Sequence, residues 1–306
     1  MIAAVTLNPV VDKTVVVPDF APGQTNRARV ERIDPKGKGT NAAKTLRQLD
    51  CPVVALCFIA GLNGQFLRRS LDELGIPNDL IGVLGETRVN LEIEDPVRRT
   101  ETELNEPGFT VSREHLEEVE RRVKEYAARA DAVVFSGSLP PGAGSGTCAR
   151  RIDLASRRGA GTVLDTSDAA LGEGIGAQLD LAKLNRAEAG ELPGEASGPV
   201  VALSSARTMG PARVVISPGV EGAVVACGAR RRRARPPRVE TRCTASAGDA
   251  VTAALALSLA SGALRLAGAA GAAAAASCGS SVVSRAAIEA LLSQVCIEEL
   301  GEVSAA

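Results

Sequence analysis

Two glycine-containing segments of this 306-residue chain hold the groups best suited to chemistry. The first, "TASAGDAVTAALAL" (residues 244–257), is a short polar turn running into an apolar helix, with Asp249 at the join. The leading N–H groups of a helix have no intrahelical acceptor, and the helix dipole makes that end attractive to anions. The N–H groups of residues 246–249 would therefore face an anion, and Asp249 would lie where a hydroxyl approaches it. Taken alone, an Asp in a first turn equally suits a plain dipole partner. The second segment is "DPKGKGTNAAKTL" (residues 34–46). Its Gly37 and Gly39 stand beside Lys38 and Asn41, which brings N–H groups, a cation and an amide to one place. That set suits a polyhydroxyl compound or a phosphate, and a plain helix start is the bland alternative. Gly37, Gly39 and Ala42 also fit the GxGxxA dinucleotide fingerprint. The next strand, "PVVALCFIA", ends in no acidic residue, which speaks against a nicotinamide site.

The elements that must position these segments alternate. "IAAVTL" (2–7), "PVVALCFIA" (52–60), "DAVVFSG" (131–137), "GTVLD" (161–165) and "ARVVIS" (212–217) are short, apolar and β-branched, and read as strands. "NAAKTLRQLD" (41–50), "GQFLRRSLDELG" (64–75), "SREHLEEVERRVKEYAARA" (112–130) and "GTCARRIDLASRRG" (146–159) have helical spacing. Alternation of this kind implies an α/β fold with a mostly parallel central sheet flanked by helices. Ligands of such sheets bind beyond the carboxyl ends of the strands. The turns "NPVVDK", "GLNG", "SGSLPPG", "DTSD" and "SPGVEG" follow strands and so fall on that side. Two ribbons break the rhythm: 12–20 with 26–34, and 87–95 with 98–106. Their polar alternate positions predict a small sheet wet on one face, a lid over the strand ends. The Ala- and Gly-rich stretch 264–284 suits close-packed helices.

Composition excludes several classes. Net charge is −1, so no overall field recruits a polyanion. With no Trp, one Tyr and five Phe, stacking on single-stranded nucleic acid is disfavoured. The basic run Arg230–Arg238 reads as a solvated hairpin edge or loop rather than a nucleic-acid patch. Seven cysteines lie scattered without CxxC pairs, the pattern of reduced thiols in a cytoplasmic protein. The N-terminus has neither the basic segment nor the long apolar run of a secretion signal, and no apolar run is long enough to span a membrane. The lone histidine, His115, falls on a charged helix and is expected at the surface.

Further blocks accompany the two glycine-rich segments: "VTLNPVVDKT", "AGLNGQFL", "ETRVNLEI", "ELNEPG", "SGSLPPG", "LDTS", "KLNRAE" and "VVISPGVEGA". In this order and over nearly the whole chain they resemble the pfkB (ribokinase-like) family of carbohydrate kinases, nearest its 1-phosphofructokinase and tagatose-6-phosphate kinase branch. The resemblance implies one ribokinase-like domain over 1–306, with lid strands near 12–34 and 87–106 inserted. It implies ATP and Mg²⁺ as partners of a phosphosugar substrate. Fructose 1-phosphate, converted to fructose 1,6-bisphosphate, is the expected acceptor, with tagatose 6-phosphate or fructose 6-phosphate as alternatives. A sugar-phosphate-binding homologue with weak or no turnover is the rival of a different class.

By the same resemblance Asp249 accepts the hydroxyl proton, at the ordinary carboxylate pKa, and the N–H groups of Ser246, Ala247 and Gly248 steady the transferring phosphoryl group. Asn8, Asp12, Gly37, Lys38 and Asn41 match positions that hold the sugar, with Ser138 a further substrate-side candidate. Arg88, and Arg27 with it, match positions that grip the phosphate already on the substrate, where a guanidinium fork fits a monoester. Lys183, Asn185, Ser217, Gly219, Gly222 and Gly248 match the nucleotide side, and Glu188 the position that orders Mg²⁺ indirectly. A homodimer through the open edges of the lid is expected.

Departures from the family pattern cluster where phosphate is handled. Lys36 replaces the first glycine of the opening signature, and Ser246 replaces the glycine of the anion hole. Cys243, Ala245, Leu184 and Pro218 differ as well. A serine held at positive φ costs about 1–2 kcal/mol or shifts the turn, whereas at a helical φ it is harmless.

Overall fold

The computed structural model describes residues 1–190, 203, 206, 209–217, 219–228, 230–241, 246–259, 264–277 and 283–302. Pro218, Cys243, Ala245 and Cys278 lie outside them. The first half of the chain runs β1 (Ile2–Thr6), β2 (Val10–Val16), β3 (Arg29–Lys36), α1 (Lys38–Gln48), β4 (Val53–Ile59), α2 (Gly61–Glu73), β5 (Asn78–Gly82), β6 (Arg88–Asp95), β7 (Thr100–Asn105) and α3 (Arg113–Ala127). It continues with β8 (Ala132–Ser136), α4 (Thr147–Ser156), β9 (Gly161–Asp165), α5 (Asp168–Ile175), β10 (Leu181–Asn185), α6 (Arg186–Gly190) and β11 (Arg213–Ser217). The remaining described elements are β12 (Ala223–Cys227), β13 (Arg230–Arg235), α7 (Ala247–Leu257), α8 (Leu264–Ala275), α9 (Arg285–Leu292) and β14 (Cys296–Glu302).

The main sheet has ten strands in the order β14-β13-β12-β11-β10-β9-β8-β1-β4-β5. From β5 to β11 neighbours are parallel, and β12, β13 and β14 add an antiparallel edge. The central strands have no polar alternate positions because both faces are covered: every residue of β1, β4 and β8 is buried. Their side chains alternate between two cores. Ile2, Ala4, Val53 and Ala55 pack under α1, α7, α8 and α9, whereas Ala3, Val5, Val54 and Leu56 pack under α3, α4 and α5. Phe58, Phe135 and Leu46 are fully buried, each contributing roughly 1.5–3 kcal/mol of transfer free energy. Alanine and glycine let the helices of the first core approach closely. A Cβ on Gly271 would stand 2.8 Å from Val251, so the low-complexity stretch is a packing surface.

The two ribbons are present and form one small sheet, as expected. β2 pairs antiparallel with β3 and parallel with β6, and β6 pairs antiparallel with β7, giving one four-stranded sheet in the order β3-β2-β6-β7. The basic run forms β13, an edge-side strand whose Arg232 and Arg235 pair with Glu299 and Glu298 of β14 at 2.7 and 2.6 Å. His115 is a correction: it is half-buried at the third position of α3. There its Nδ1 accepts the Ser112 N–H at 3.1 Å and completes a capping box. Among the described residues Cys51, Cys57, Cys148, Cys227 and Cys296 are free thiols, and no helix is long and apolar enough to cross a membrane.

Candidate active site

The ends of β9 and β10 and the starts of α1 and α7 bring their polar groups together. Gly37 precedes α1 with φ 142°, a conformation open to glycine, and a Cβ there would press Thr6 at 3.0 Å. The turn it allows sends Lys38 and Asn41 into the site from the first turn of α1. From the other side α7 begins at Ser246, and the first bond of its ladder is donated by Ala250 to Ser246 O at 3.1 Å. The N–H groups of Ala247, Gly248 and Asp249 therefore precede the ladder and are available to an anion. Ser246 has φ −103° and ψ −1°, so the serine sits in an ordinary backbone region and carries no left-handed strain. The Lys36 departure is equally unstrained, since its φ is not positive.

Between these helix starts lies a closed network of charges. The Asp165 carboxylate, at the end of β9 and fully buried, accepts from Lys38 Nζ at 3.2 Å, Lys183 Nζ at 3.3 Å and Thr252 Oγ1 at 2.6 Å. Lys38 also reaches Glu188 Oε1 at 3.0 Å. Glu188 Oε2 accepts the Asn185 N–H at 2.7 Å, and Asn185 Oδ1 accepts the Glu188 N–H at 2.9 Å. Asp249 is buried, and its Oδ2 accepts from Asn41 Nδ2 at 2.8 Å. The Lys183 ammonium lies against Gly248, 3.0 Å from where a Cβ would stand. A cation at a helix N-terminus is unfavourable by itself, and an anion received between the two relieves it.

The environment separates the two aspartates. Burial opposes the charge of Asp165, but the ammonium groups of Lys183 and Lys38 outweigh it and hold that carboxyl below the usual carboxylate range. Burial pushes Asp249 up to about 7, with the nearby Asp165 charge adding to the rise, while Asn41, Lys183 and Lys38 only partly offset it. The expected ordinary carboxylate is thus corrected: Asp249 is poised near neutrality because it is desolvated beside a second carboxylate. One fixed anion beside one carboxyl tuned to the operating pH is an acid–base arrangement. Lys38 is raised above its ordinary value: burial lowers it, but Asp165, Glu188 and Asp249 prevail.

The small sheet closes the opposite wall. Arg88 donates to Asn8 O (3.4 Å), Asn90 Oδ1 (3.2 Å), Glu106 O (3.2 Å) and Ser138 Oγ (3.5 Å). Asn8 Nδ2 donates to Pro107 O at 3.1 Å and to Ser138 Oγ at 3.2 Å. Gly108, at φ 95°, lets this loop approach, since a Cβ would meet Asn8 Oδ1 at 2.3 Å. Asp12 pairs with Lys36 Nζ at 2.9 Å. Burial lowers the Arg88 guanidinium, while the charges of Asp12 and Glu106 oppose that fall.

The structure thus joins Lys38, Asn41, Lys183, Asn185, Glu188, Gly248 and Asp249 in one cluster and Asn8, Arg88 and Ser138 in another. Ser217 ends the neighbouring strand in register with Asn185 and donates to Leu184 O at 3.3 Å, with Gly219 and Gly222 in the turn beyond it. Arg27 lies apart, exposed on the loop between β2 and β3. Asp165 and Thr252 were not singled out from sequence. A carboxylate ending the strand "GTVLD" was the available signal for the first; Thr252, one turn along an apolar helix, offered none.

Residues 5–289 match the family described as pfkB family carbohydrate kinase, and the chain belongs to that family. It is 36% identical over 259 residues to a 1-phosphofructokinase of Rhodobacter capsulatus, an alignment covering 83% of this chain and 82% of the relative. Escherichia coli phosphofructokinase-2, in a tetrameric inhibited form, superposes with a TM-score of 0.86 at 26% identity, covering 96% of this chain and 98% of that one. A Thermotoga maritima protein described as a possible 1-phosphofructokinase gives a TM-score of 0.86 at 26% identity, with 98% and 99% covered.

Proposed function

We propose, from membership of the pfkB family and from this geometry, that the chain is an ATP-dependent 1-phosphofructokinase. It would transfer the γ-phosphoryl group of ATP to a hydroxyl of fructose 1-phosphate, giving fructose 1,6-bisphosphate. The observation that carries the chemistry is buried Asp249 at the start of α7, held by Asn41 Nδ2 at 2.8 Å, with the Lys183 ammonium against Gly248. In the transfer the acceptor oxygen bonds to the γ-phosphorus, the bond to the β–γ bridging oxygen breaks, and ADP leaves. Asp249 takes the hydroxyl proton; the N–H groups of Ser246, Ala247 and Gly248, with Lys38 and Lys183, stabilise the charge on the moving phosphoryl group. Asn8, Asp12, Gly37, Lys38, Asn41 and Ser138 are assigned to the sugar and Arg88 to its phosphate; Arg27, which lies apart from the site within this chain, is assigned to the same phosphate across the dimer. Asn185, Ser217, Gly219 and Gly222 are assigned to the nucleotide.

Both oxygens of Glu188 already accept hydrogen bonds, from Lys38 and the Asn185 N–H. That suits Mg²⁺ held through water and phosphate, since this ion keeps most of its waters and needs few protein carboxylates. When bound, it would neutralise phosphate charge. Residues 1–306 are assigned to one catalytic domain, in the cytoplasm. A homodimer through the lid is favoured by its outer face, where Val30, Ile33 and Leu104 are 49%, 48% and 55% exposed, and by the open edges of β3 and β7.

The test is an acceptor panel: fructose 1-phosphate, fructose 6-phosphate and tagatose 6-phosphate with MgATP, following ADP. Fructose 1-phosphate is expected to give the highest kcat/KM. A higher value for another acceptor would reassign the substrate, and ADP from none would leave a binding protein only.

A further inference from the structure

Lys36 is a lysine where the resembled signature has glycine, and its side chain is only 5% exposed. A buried ammonium requires a counter-charge, and here it is Asp12, whose Oδ2 lies 2.9 Å away. The second oxygen, Asp12 Oδ1, is buried and has no hydrogen-bond partner. Buried acceptors are nearly always satisfied, so a free one on a site wall is an acceptor kept for a ligand donor.

Strand register shows what stands around this pair. Val10 on β2 is opposite Lys36 on β3 and Arg88 on β6, so both cations project from the face that Val10 shares. The next row of the same face is Asp34, Asp12 and Asn90. Arg32 takes Asp34 at 2.6 Å, and Asn90 accepts from Arg88 at 3.2 Å. Asp12 is therefore the carboxylate on this face that an incoming phosphate monoester would compete with, and its charge does reach the Arg88 guanidinium. A glycine at position 36 supplies no counter-charge.

We infer that Lys36 is a positioning residue that sets specificity for a phosphorylated acceptor. Its ammonium fixes Asp12 through Oδ2, leaves Oδ1 for an acceptor hydroxyl, and cancels the Asp12 charge so that Arg88 is left to the acceptor's phosphate. The inference rests on the phosphosugar reading above.

The experiment measures the Kd of fructose 1-phosphate by calorimetry, and KM and kcat for it and for ATP, in wild type, Lys36→Met, Lys36→Arg and Asp12→Asn/Lys36→Met. Lys36→Met is expected to weaken fructose 1-phosphate at least ~10-fold while kcat and the KM for ATP move less than ~3-fold. Lys36→Arg should stay within ~3-fold of wild type, because it keeps the charge. The double variant should bind fructose 1-phosphate more tightly than Lys36→Met alone, because it removes the uncompensated carboxylate. A lowered Tm with unchanged Kd, or a double variant as weak as the single, would overturn the inference. If Lys36→Met does not fold, a ~10-fold loss of binding in Lys36→Arg overturns it equally. Wild-type protein that binds fructose 1-phosphate without releasing ADP would sink the kinase reading and leave the comparison among variants readable.

Discussion

The two walls of the site arrange their charges differently. On the main sheet, the oxygens of Asp165 and Glu188 are all engaged, by Lys38, Lys183, Thr252 and the Asn185 N–H. On the small sheet and in the turn before it, Asp12 Oδ1 and Asn8 Oδ1 are buried without hydrogen-bond partners, as are Asn41 Oδ1 and Ser246 Oγ at the helix starts. The paired carboxylates of the main sheet fix charge beside Asp249, which burial and Asp165 push up. The small-sheet wall instead sets a guanidinium, Arg88, and the Asp12–Lys36 pair on one face. The expectation is that changes on the main sheet alter kcat and changes on the lid alter KM.

The sharpest way to break this contrast is Asp249→Asn. It should lower kcat by at least ~10² with KM for the acceptor little changed, as expected for loss of a general base. The same variant should be more stable at neutral pH. A carboxyl whose folded pKa is raised costs stability as pH rises above its unfolded value, and an amide escapes that cost. A thermal melt at pH 8 should show Tm rising by a few degrees; a fall in Tm with near-normal turnover would return Asp249 to a helix-dipole role. Next in size is Arg88→Ala, expected to raise KM for fructose 1-phosphate ~10- to 100-fold and KM for ATP much less. Equal rises in both would make Arg88 structural and erase the difference between the walls.

A smaller effect is the pH profile. With Asp249 near pH 7 in the free enzyme, kcat/KM should fall about tenfold per unit below that value, since the protonated acid cannot accept the hydroxyl proton. A profile flat down to pH 5 would mean that Asp249 titrates as an ordinary carboxylate and that the pressure from burial and Asp165 is relieved. The smallest effect is predicted at the basic edge. Arg232→Ser removes an ion pair to Glu299 whose side chains are 42% and 62% exposed, and stability should change by no more than about 0.5 kcal/mol, with kinetics unaltered.

Much of the scaffold was legible. The apolar, β-branched runs were legible as strands, and the structure begins and ends β9 where "GTVLD" does. The ribbons and the small sheet they form were legible by their polar alternation, but the strand order β3-β2-β6-β7 was not. The parallel pairing of β2 with β6 joins segments more than seventy residues apart, and no local pattern encodes a contact of that range. Ser246 shows the same limit within one residue. Whether a serine suits the anion hole depends on φ at that position, and φ −103° follows from how α7 enters the site rather than from the residues beside it. Asp165 went unnoticed because its importance lies in the two lysines brought to it, one from α1 and one from β10.

The sequence by itself determined the layered α/β scaffold, the side of the sheet on which the turns after the strands fall and the helix starts whose N–H groups precede the ladder. These follow from periodicity, turn chemistry and the direction of backbone dipoles, all local properties. Tertiary structure alone decided which carboxylate is fixed and which is tuned, and which lysine answers which aspartate. Those outcomes depend on desolvation and on charge separations of about 3 Å between residues distant in the chain. Only the folded arrangement sets such distances.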